Sequence, residues 1–361
     1  MKLPPPGRKV RVALQLCVSF GLLGVLLGRL DWERSAALVR GAAPGGLALL
    51  LAVYAANRVL MALKWEQLLR VLGGGLGVAG AVRVYYESSF VGFALPLGGL
   101  GPDIVRFVRL RACGIAPHLT LSSMVMERAI GLLASLLFVA LALAALRALA
   151  PQQALRDFAL LAGAGALVAA AAGAALLFHR GAGRAAASLL GTAALERRPR
   201  IAKYLRAARA YGARRGVLAA NLGLALLEQC TPVLTWWIGS RALGTPLPLA
   251  VCLAVAPVTV LIQRLPVSYA GLGLREASGA ALLVALGYDY SAALVLLMTL
   301  FLAFFVSLLP GAVLLLRGGP IVATMLPAEA APAAAPGAAA DAAAQPPPAT
   351  PVAADRVLPP P

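Results

Sequence analysis

Two interrupted segments carry charged residues whose chemistry suits the binding of an anion. The first reads Pro-Leu-Gly-Gly-Leu-Gly-Pro-Asp-Ile-Val-Arg over 96–106, and the second reads Pro-Val-Ser-Tyr-Ala-Gly-Leu-Gly-Leu-Arg-Glu over 266–276. In each segment proline and glycine break a helix, and charged residues follow at the start of the next one. The first amides of a helix favour negative charge, and arginine donates two hydrogen bonds at once. Arg106 and Arg275 are therefore candidates to bind phosphate oxygens, and we expect them to face one shared polar cavity.

Other charged residues are expected to accompany these two arginines. Asp103 and Glu276 are predicted to pair with them when the site is empty. Glu127 and Arg128 interrupt an apolar block about two turns from its start, where each charge costs about 2.5–3.5 kcal/mol on insertion scales. We expect this pair to face the protein interior near the first interruption, and the alternative is a pair at the membrane interface.

An earlier apolar block contains a further candidate, Arg58, which is predicted to point into the bundle. Glu87 is a candidate partner for Arg58 or for a lipid headgroup, and the alternative is an exposed acid in an aromatic belt. Lys64 and Trp65 have the composition of interface anchors. The predicted substrate-binding residues are thus Arg58, Glu87, Asp103, Arg106, Glu127, Arg128, Arg275 and Glu276, and the predicted turn residues are Pro96, Gly98, Gly99, Pro266, Gly271 and Gly273.

The elements that must position these residues are apolar blocks long enough to cross a bilayer. The chain is 61% hydrophobic and only 13% charged, whereas globular domains are about 45–50% apolar and about 25% charged. This composition excludes a soluble enzyme and indicates an integral membrane protein. The apolar blocks are 12–28, 46–63, 84–100, 119–146, 157–178, 216–240, 247–264, 274–287 and 291–316.

Charge between the blocks predicts their orientation. Residues 179–215 hold ten Lys and Arg against one acid, and the N-terminal segment holds four, so both are expected in the cytoplasm. Each of the segments 84–112 and 247–287 must then begin and end on the same side of the membrane. We therefore predict that both are re-entrant hairpins, which enter from opposite faces. The predicted fold is an all-α, polytopic transmembrane bundle with two Gly/Pro-broken hairpins in an inverted repeat.

The predicted organisation has a short N-terminal segment before the membrane domain and a tail after it. Residues 1–11 form a cytoplasmic N-terminus, and 12–317 form the membrane domain with the basic loop 179–215. Residues 318–361 contain 16 Ala and 11 Pro, a composition that predicts a disordered extension. We expect a multi-pass protein of the bacterial inner membrane.

Nothing in the sequence indicates a metal or a cofactor. The four cysteines and two histidines are scattered, and no pattern of metal ligands or nucleotide-binding loop occurs. The net charge of +18 is spread over loops without a nucleic-acid recognition motif, so we expect contacts with anionic lipids and no nucleic-acid binding.

In this order along the chain, the motifs resemble those of the flippase-like integral membrane proteins of the lysylphosphatidylglycerol synthetase transmembrane-region family. The resemblance covers about residues 10–317 and rests on Arg58 with Lys64-Trp65, on 86–90 followed by Pro96 and Gly98-Gly99, on Asp103 with Arg106, on Glu127-Arg128 with Gly131, and on Pro266 followed by Gly271, Gly273, Arg275 and Glu276. Where the family commonly shows Gly-Gly-Asp, this sequence reads Gly-Pro-Asp, and proline is well tolerated in a first helical turn.

The resemblance implies a role in moving or handling lipids with lipid-linked or aminoacylated headgroups. Larger relatives carry a catalytic domain that transfers an amino acid to phosphatidylglycerol, and we do not expect that activity here. The first hypothesis is a flippase-type transporter of anionic phospholipid or lipid-linked headgroups. The alternatives are a membrane-embedded transferase, with Asp103, Glu127 or Glu228 as its base, and a non-transporting partner of a lipid- or glycan-modifying enzyme that docks on 179–215. We predict that the chain is not an enzyme.

Overall fold

Every long regular element in the described part of the chain is an α-helix, which confirms the all-α fold class. The computed structural model describes residues 8–94, 101–178, 210–265, 267–268 and 271–317. Predictions for the tail, for most of the basic loop and for Pro96, Gly98, Gly99 and Pro266 lie outside the described residues. The helices are α1 Arg8–Gly28, α2 Trp32–Arg40, α3 Pro44–Val71, α4 Gly77–Ala94, α5 Gly101–Ala112, α6 Pro117–Leu149, α7 Gln153–Phe178, α8 Arg215–Ala242, α9 Leu249–Gln263, α10 Leu274–Ala285 and α11 Tyr290–Arg317.

Five of the described helices, α3, α6, α7, α8 and α11, are long and apolar enough to cross a membrane. The pair α1 and α2 passes the same test as a sixth span, although its two helices are bent by 93°. Proline at the first position starts α3 and α6, where its missing amide costs no helical hydrogen bond. The chain is a multi-pass membrane protein, as its composition predicts.

Antiparallel contacts between the helices define two ends of the bundle. The amide of Ala43 donates to the carbonyl of Ala242 at 2.8 Å, so the start of α3 lies beside the end of α8. Tyr290 Oη donates to the carbonyl of Leu26 at 2.8 Å, so the end of α1 lies beside the start of α11. These four helix termini lie at one end of the bundle, which we call the mixed end. The other end, called the basic end, holds the starts of α1, α6 and α8 and the ends of α3 and α11.

The helices α4 and α5 form a pair that starts and finishes at the basic end. Glu87 on α4 contacts Arg109 on α5, and Gly92 lies against Gly101 so closely that a Cβ on Gly101 would come 2.9 Å from the Gly92 Cα. Phe93, near the end of α4, contacts the phenylalanines at the middle of α11. At 18 and 12 residues, the two helices reach about halfway along the bundle.

The helices α9 and α10 form a second pair, which starts and finishes at the mixed end. α9 has 15 residues and α10 has 12, so at 1.5 Å per residue each is about 18–22 Å long, too short for a crossing of about 30 Å. Gly271 packs on Gln263, and its φ of +78° is one that glycine adopts without strain. Gly273 has a φ of +81° and precedes α10.

The two helix pairs therefore extend toward the middle of the bundle from opposite ends. This is the arrangement predicted from the distribution of Lys and Arg between the apolar blocks. Their re-entrant character in a bilayer and the internal repeat stay predictions.

One sequence-based expectation about the bundle is wrong. Lys64 and Trp65 are 2% and 0% exposed, so they are buried between helices and do not anchor the protein at an interface. The indole of Trp65 donates to Ser123 Oγ on α6 at 3.2 Å. The segment 29–44, between the first two apolar blocks, contains α2, and Asp31 caps this helix by accepting from the amide of Arg34 at 3.0 Å.

Candidate functional site

A cavity lined by both charged and apolar residues lies between α3, α8, α9, α10 and α11 and has a volume of about 210 Å³. Arg58, Glu228 and Phe304 line it, and each is the fourteenth or fifteenth of the 28 residues in its helix. The cavity is therefore close to the middle of three membrane-spanning helices. The tip of the α9–α10 pair closes one side of it, through Gln263, Arg264 and Arg275.

Arg58 is buried in the wall of this cavity, with 8% of its surface exposed. Its guanidinium donates weakly to Ser89 Oγ at 3.4 Å, contacts the Met61 sulfur at 3.9 Å and lies over the Phe304 ring at 4.9 Å from the centroid. In the part of the chain that the structure describes, no carboxylate lies within 4.0 Å of it. A buried cation with such weak partners can still bind an anion.

Arg275 enters the cavity from the first turn of α10. Its Nε donates to Glu276 Oε1 at 2.9 Å, and its guanidinium lies 5.5 Å from the Phe301 centroid. Glu276 is fully buried and accepts from the amide of Gly273 at 2.8 Å. The carboxylate of Glu276 thus occupies the N-terminus of α10, where we expected a ligand anion, and it holds Arg275 in place.

Two further charged residues face the cavity, and sequence reasoning had not placed either in the site. Arg264 follows the last residue of α9, and within the described ranges its side chain has neither a hydrogen bond nor an ion pair. Glu228 on α8 forms an ion pair with Lys64 on α3, whose side chain is 3% exposed. Because Lys64 already compensates Glu228, and Glu276 compensates Arg275, the positive charges of Arg58 and Arg264 remain in excess.

The charged residues of the first pair form a separate cluster. Arg106 contacts Asp103 at 2.7 Å and Glu127 at 2.6 Å, and Tyr85 Oη donates to Glu127 at 3.2 Å. Arg128 donates from Nε to Asp103 at 3.1 Å. Glu127 therefore faces the protein interior beside α5, as expected, whereas the expectation is wrong for Arg128, whose side chain is 55% exposed. This cluster of two arginines and two carboxylates is neutral, and none of its members lines the cavity.

Glu87 is not the partner of Arg58, which corrects that expectation. Its carboxylate is completely buried and contacts Arg83 Nε at 3.0 Å and Arg109 Nε at 2.6 Å. Arg83 is one helical turn away on α4, and Arg109 is on α5. Glu87 thus joins the two helices of the first pair, and its predicted role as a headgroup ligand stays a prediction.

Among the described residues, the first pair reaches the cavity wall through Ser89 and Phe93. Ser89 contacts Arg58, and Phe93 packs on Phe304, which lies under Arg58. Arg106 instead lies over the rings of Trp65 and Tyr85. The expectation that Arg106 and Arg275 would face one shared cavity is therefore wrong, because Arg275 lines the cavity and Arg106 is held in its own ion-pair cluster.

Of the eight predicted binding residues, Arg58 and Arg275 line the cavity, and Glu276 positions Arg275. The sequence held a signal for Arg264, because Gln263 and Arg264 come directly before the second interruption. No such signal identified Lys64 and Glu228 as a pair, since they are 164 residues apart. Among the described residues, no three His, Cys, Asp or Glu side chains are grouped as a metal site requires.

The fold and the site define a class of protein, an α-helical multi-pass membrane protein with a cationic cavity at mid-depth. A family described as Lysylphosphatidylglycerol synthase TM region matches residues 12–311. The chain belongs to this family, as the motifs around the two interruptions indicated. A comparison with curated proteins found no match.

Proposed function

We propose that the chain binds the anionic headgroup of a membrane lipid in the central cavity and moves it between leaflets, as a flippase-type transporter. The observation that carries the proposal is Arg58, a buried cation at the middle of α3 for which the described residues provide no carboxylate partner. An arginine at this depth is costly without compensation and is by default a sign of a functional site. A phosphate group would supply the missing charge and accept two hydrogen bonds from the guanidinium.

The size of the cavity favours a headgroup over a whole lipid. Its volume of about 210 Å³ is below the roughly 300–1,000 Å³ typical of pockets for drug-sized ligands. The acyl chains would then stay in the bilayer while the headgroup crosses through the protein. Tyr54, Asn57 and Thr235 also line the cavity, and they offer neutral hydrogen-bonding groups to the glycerol or sugar part of a headgroup.

The two short helix pairs suggest how the cavity could be reached from both leaflets. They extend to the middle of the bundle from opposite ends, and both reach the centre of α11, where Phe93 and Arg275 contact Phe301. Movement of one pair against α11 would alter access from one end at a time, as in transporters with broken helices at mid-depth.

The proposed role is transport of a lipid without any chemical change to it. Asp103, Glu127 and Glu228 are the acids that could act as a base, and each is held by arginine or lysine. We further propose that the protein resides in a bacterial inner membrane with its basic end in the cytoplasm, because Lys and Arg accumulate on that side. Anionic phospholipids would be its partners.

Lipid translocation in reconstituted vesicles tests the proposal. Arg58→Ala and Arg275→Ala should each slow translocation of an anionic phospholipid about tenfold or more, since a hydrogen bond to a charged group contributes about 1.5–3 kcal/mol. Arg34→Ala is the matched control, because Arg34 forms an exposed ion pair with Asp289 at the mixed end. Wild-type rates for both cavity variants would contradict transport through this cavity and favour the non-transporting partner.

A further inference from the structure

Two of the arginines that line the central cavity lie along one face of α11. The guanidinium carbon of Arg58 is 4.9 Å from the Phe304 centroid, and that of Arg275 is 5.5 Å from the Phe301 centroid. Phe301 and Phe304 are three residues apart, so they are neighbours on the helix surface, with Cβ atoms about 5–6 Å apart. Both arginines also line the cavity, so their guanidinium groups face one space from adjacent turns of α11.

The arginines of the cavity have hydrogen-bond donors that no described residue uses. Arg58 Nε is buried without a hydrogen-bond partner. Arg275 donates to Glu276 from Nε and Nη2, and its Nη1 has no partner among the described residues. Arg264 also lines the cavity, and its side chain bonds to none of them. A buried N–H without an acceptor is costly, so an anion in the cavity would gain hydrogen bonds that the protein itself does not supply.

The charges around the cavity leave an excess of two positive charges in the described part of the chain. Three arginines and one acid, Glu228, line the cavity, and guanidinium groups stay protonated in proteins. The residues behind the wall do not alter this excess, because Lys64 pairs with Glu228 and Glu276 pairs with Arg275. Buried charges are normally compensated by charges of opposite sign. A ligand with two negative charges would therefore complete the site.

A phosphate monoester fits this excess better than a phosphodiester does. At pH 7 a monoester carries about −1.5 to −2 charges and has three terminal oxygens that are strong acceptors. In a diester such as phosphatidylglycerol, the second ester bond leaves one negative charge and two terminal oxygens. Only the monoester thus offers one terminal oxygen to each of the three arginines.

A headgroup with an amino group fits the cavity poorly. Glu228 is the only acid among the described residues that line the cavity, and Lys64 is already its partner. A zwitterionic or aminoacylated headgroup would bring positive charge into a site where positive charge is in excess, and charges of the same sign repel strongly away from water. The cavity therefore favours an anion that carries no ammonium group.

We propose that the ligand of the central cavity is a lipid whose headgroup is a terminal phosphate monoester. Arg58 and Arg275 bind the phosphate from adjacent turns of α11, and Arg264 compensates its second negative charge. The hydrocarbon part of the lipid stays in the bilayer. This inference rests on the proposed function, because it specifies the substrate class of the same cavity.

Binding of soluble headgroups to the purified full-length protein tests the match of charge. Glycerol 3-phosphate is a monoester, and glycerophosphoglycerol is the corresponding diester. We expect isothermal titration calorimetry to show about tenfold tighter binding of the monoester, because it accepts one further hydrogen bond from a charged group. Equal affinities, or tighter binding of the diester, would overturn the proposal.

Replacing Arg264 tests whether the preference arises from the second charge. Arg264 is exposed and its side chain bonds to no described residue, so Arg264→Gln should leave the fold intact. We expect the preference for the monoester to fall from about tenfold to about twofold or less, while the affinity for the diester changes by less than about threefold. Arg34→Gln is the control, because Arg34 forms an exposed ion pair at the mixed end, and it should keep the wild-type preference. A tenfold preference that persists in Arg264→Gln would contradict the proposal.

Translocation assays distinguish a lipid from free phosphate as the source of the monoester. In reconstituted vesicles we expect fluorescent phosphatidate to cross about tenfold faster than fluorescent phosphatidylglycerol, after subtraction of the rate in protein-free vesicles. Radiolabelled inorganic phosphate should not enter faster than it enters protein-free vesicles. Uptake of inorganic phosphate that Arg58→Ala abolishes would show that the ligand is a soluble anion, and the proposal of a lipid would be wrong.

The outcomes also separate this inference from the proposed function. If phosphatidate and phosphatidylglycerol cross at equal rates and both require Arg58, the transporter stands and the preference for a monoester fails. If neither lipid crosses but glycerol 3-phosphate still binds about tenfold more tightly than the diester, transport fails and the phosphate monoester site remains.

Discussion

Arg58 and Phe304 meet at the midpoints of α3 and α11, with the guanidinium carbon 4.9 Å from the centre of the ring. The ring offers the cation a favourable but weak contact, and it cannot accept the hydrogen bonds that a carboxylate would. The guanidinium therefore keeps its capacity to bind an anion. This contact also links the two short helix pairs, because Phe304 packs on Phe93 of the first pair and Arg58 shares the cavity with Arg275 of the second.

Breaking the ion pair between Lys64 and Glu228 should lower stability strongly, because Lys64 is almost completely buried. Lys64→Met leaves Glu228 without its partner and should lower the free energy of unfolding by about 3–5 kcal/mol. The double variant Lys64→Met/Glu228→Leu removes both charges and should recover most of that loss. Thermal unfolding in detergent measures both effects. If the loss of stability in the double variant equals the sum of the losses in Lys64→Met and Glu228→Leu, the two residues are not coupled and this interpretation is wrong.

The buried carboxylate of Glu87 should hold the first helix pair together. Glu87→Gln leaves Arg109 without a negative partner, and we expect a loss of about 3 kcal/mol in the free energy of unfolding. The matched control is Glu33→Gln, because Glu33 is an exposed acid on α2 and its replacement should change stability by less than about 0.5 kcal/mol. Equal melting temperatures for the two variants would contradict the structural role of Glu87.

Gly311 allows α11 to pack against α4, because a side chain there would meet the backbone of Tyr86 and would come 3.0 Å from the Phe90 Cβ. Gly311→Ala should therefore destabilise the protein by about 1–3 kcal/mol, the usual cost of overpacking. Gly131→Ala on α6 is the control, since nothing lies within 4 Å of the position its Cβ would take, and alanine favours helix. A stable Gly311→Ala variant with an unaltered melting temperature would show that this contact is not tight.

Cysteine labelling should place the two ends of the bundle on opposite sides of the membrane. Native Cys113 is exposed and follows α5 at the basic end, so an impermeant maleimide should label it only after cells are permeabilised. A cysteine introduced by Asp289→Cys, with the native cysteines replaced, should react in intact cells, because position 289 is exposed and precedes α11 at the mixed end. The reverse pattern would invert the proposed orientation.

Local properties of the sequence determined much of the fold. Runs of apolar residues marked the spans, and the uneven distribution of Lys and Arg predicted which segments lie together at one end of the bundle. Both signals can be recognised without tertiary structure, because they depend only on neighbours in the chain. Proline and glycine near positions 96 and 266 marked the two breaks, and the interior-facing Glu127 could be inferred because a charge within a span needs a partner. These features needed no knowledge of which helices are adjacent.

The tertiary structure alone decided which charges meet. Lys64 has the composition of an interface anchor, yet it pairs with Glu228 on a helix 164 residues further along the chain. Glu87 pairs with Arg109 and not with Arg58, and Arg106 and Arg275 face different surroundings. Such pairings depend on how each helix is rotated and which helices lie beside it. These quantities are set by packing across the whole bundle, so no single segment of sequence contains them.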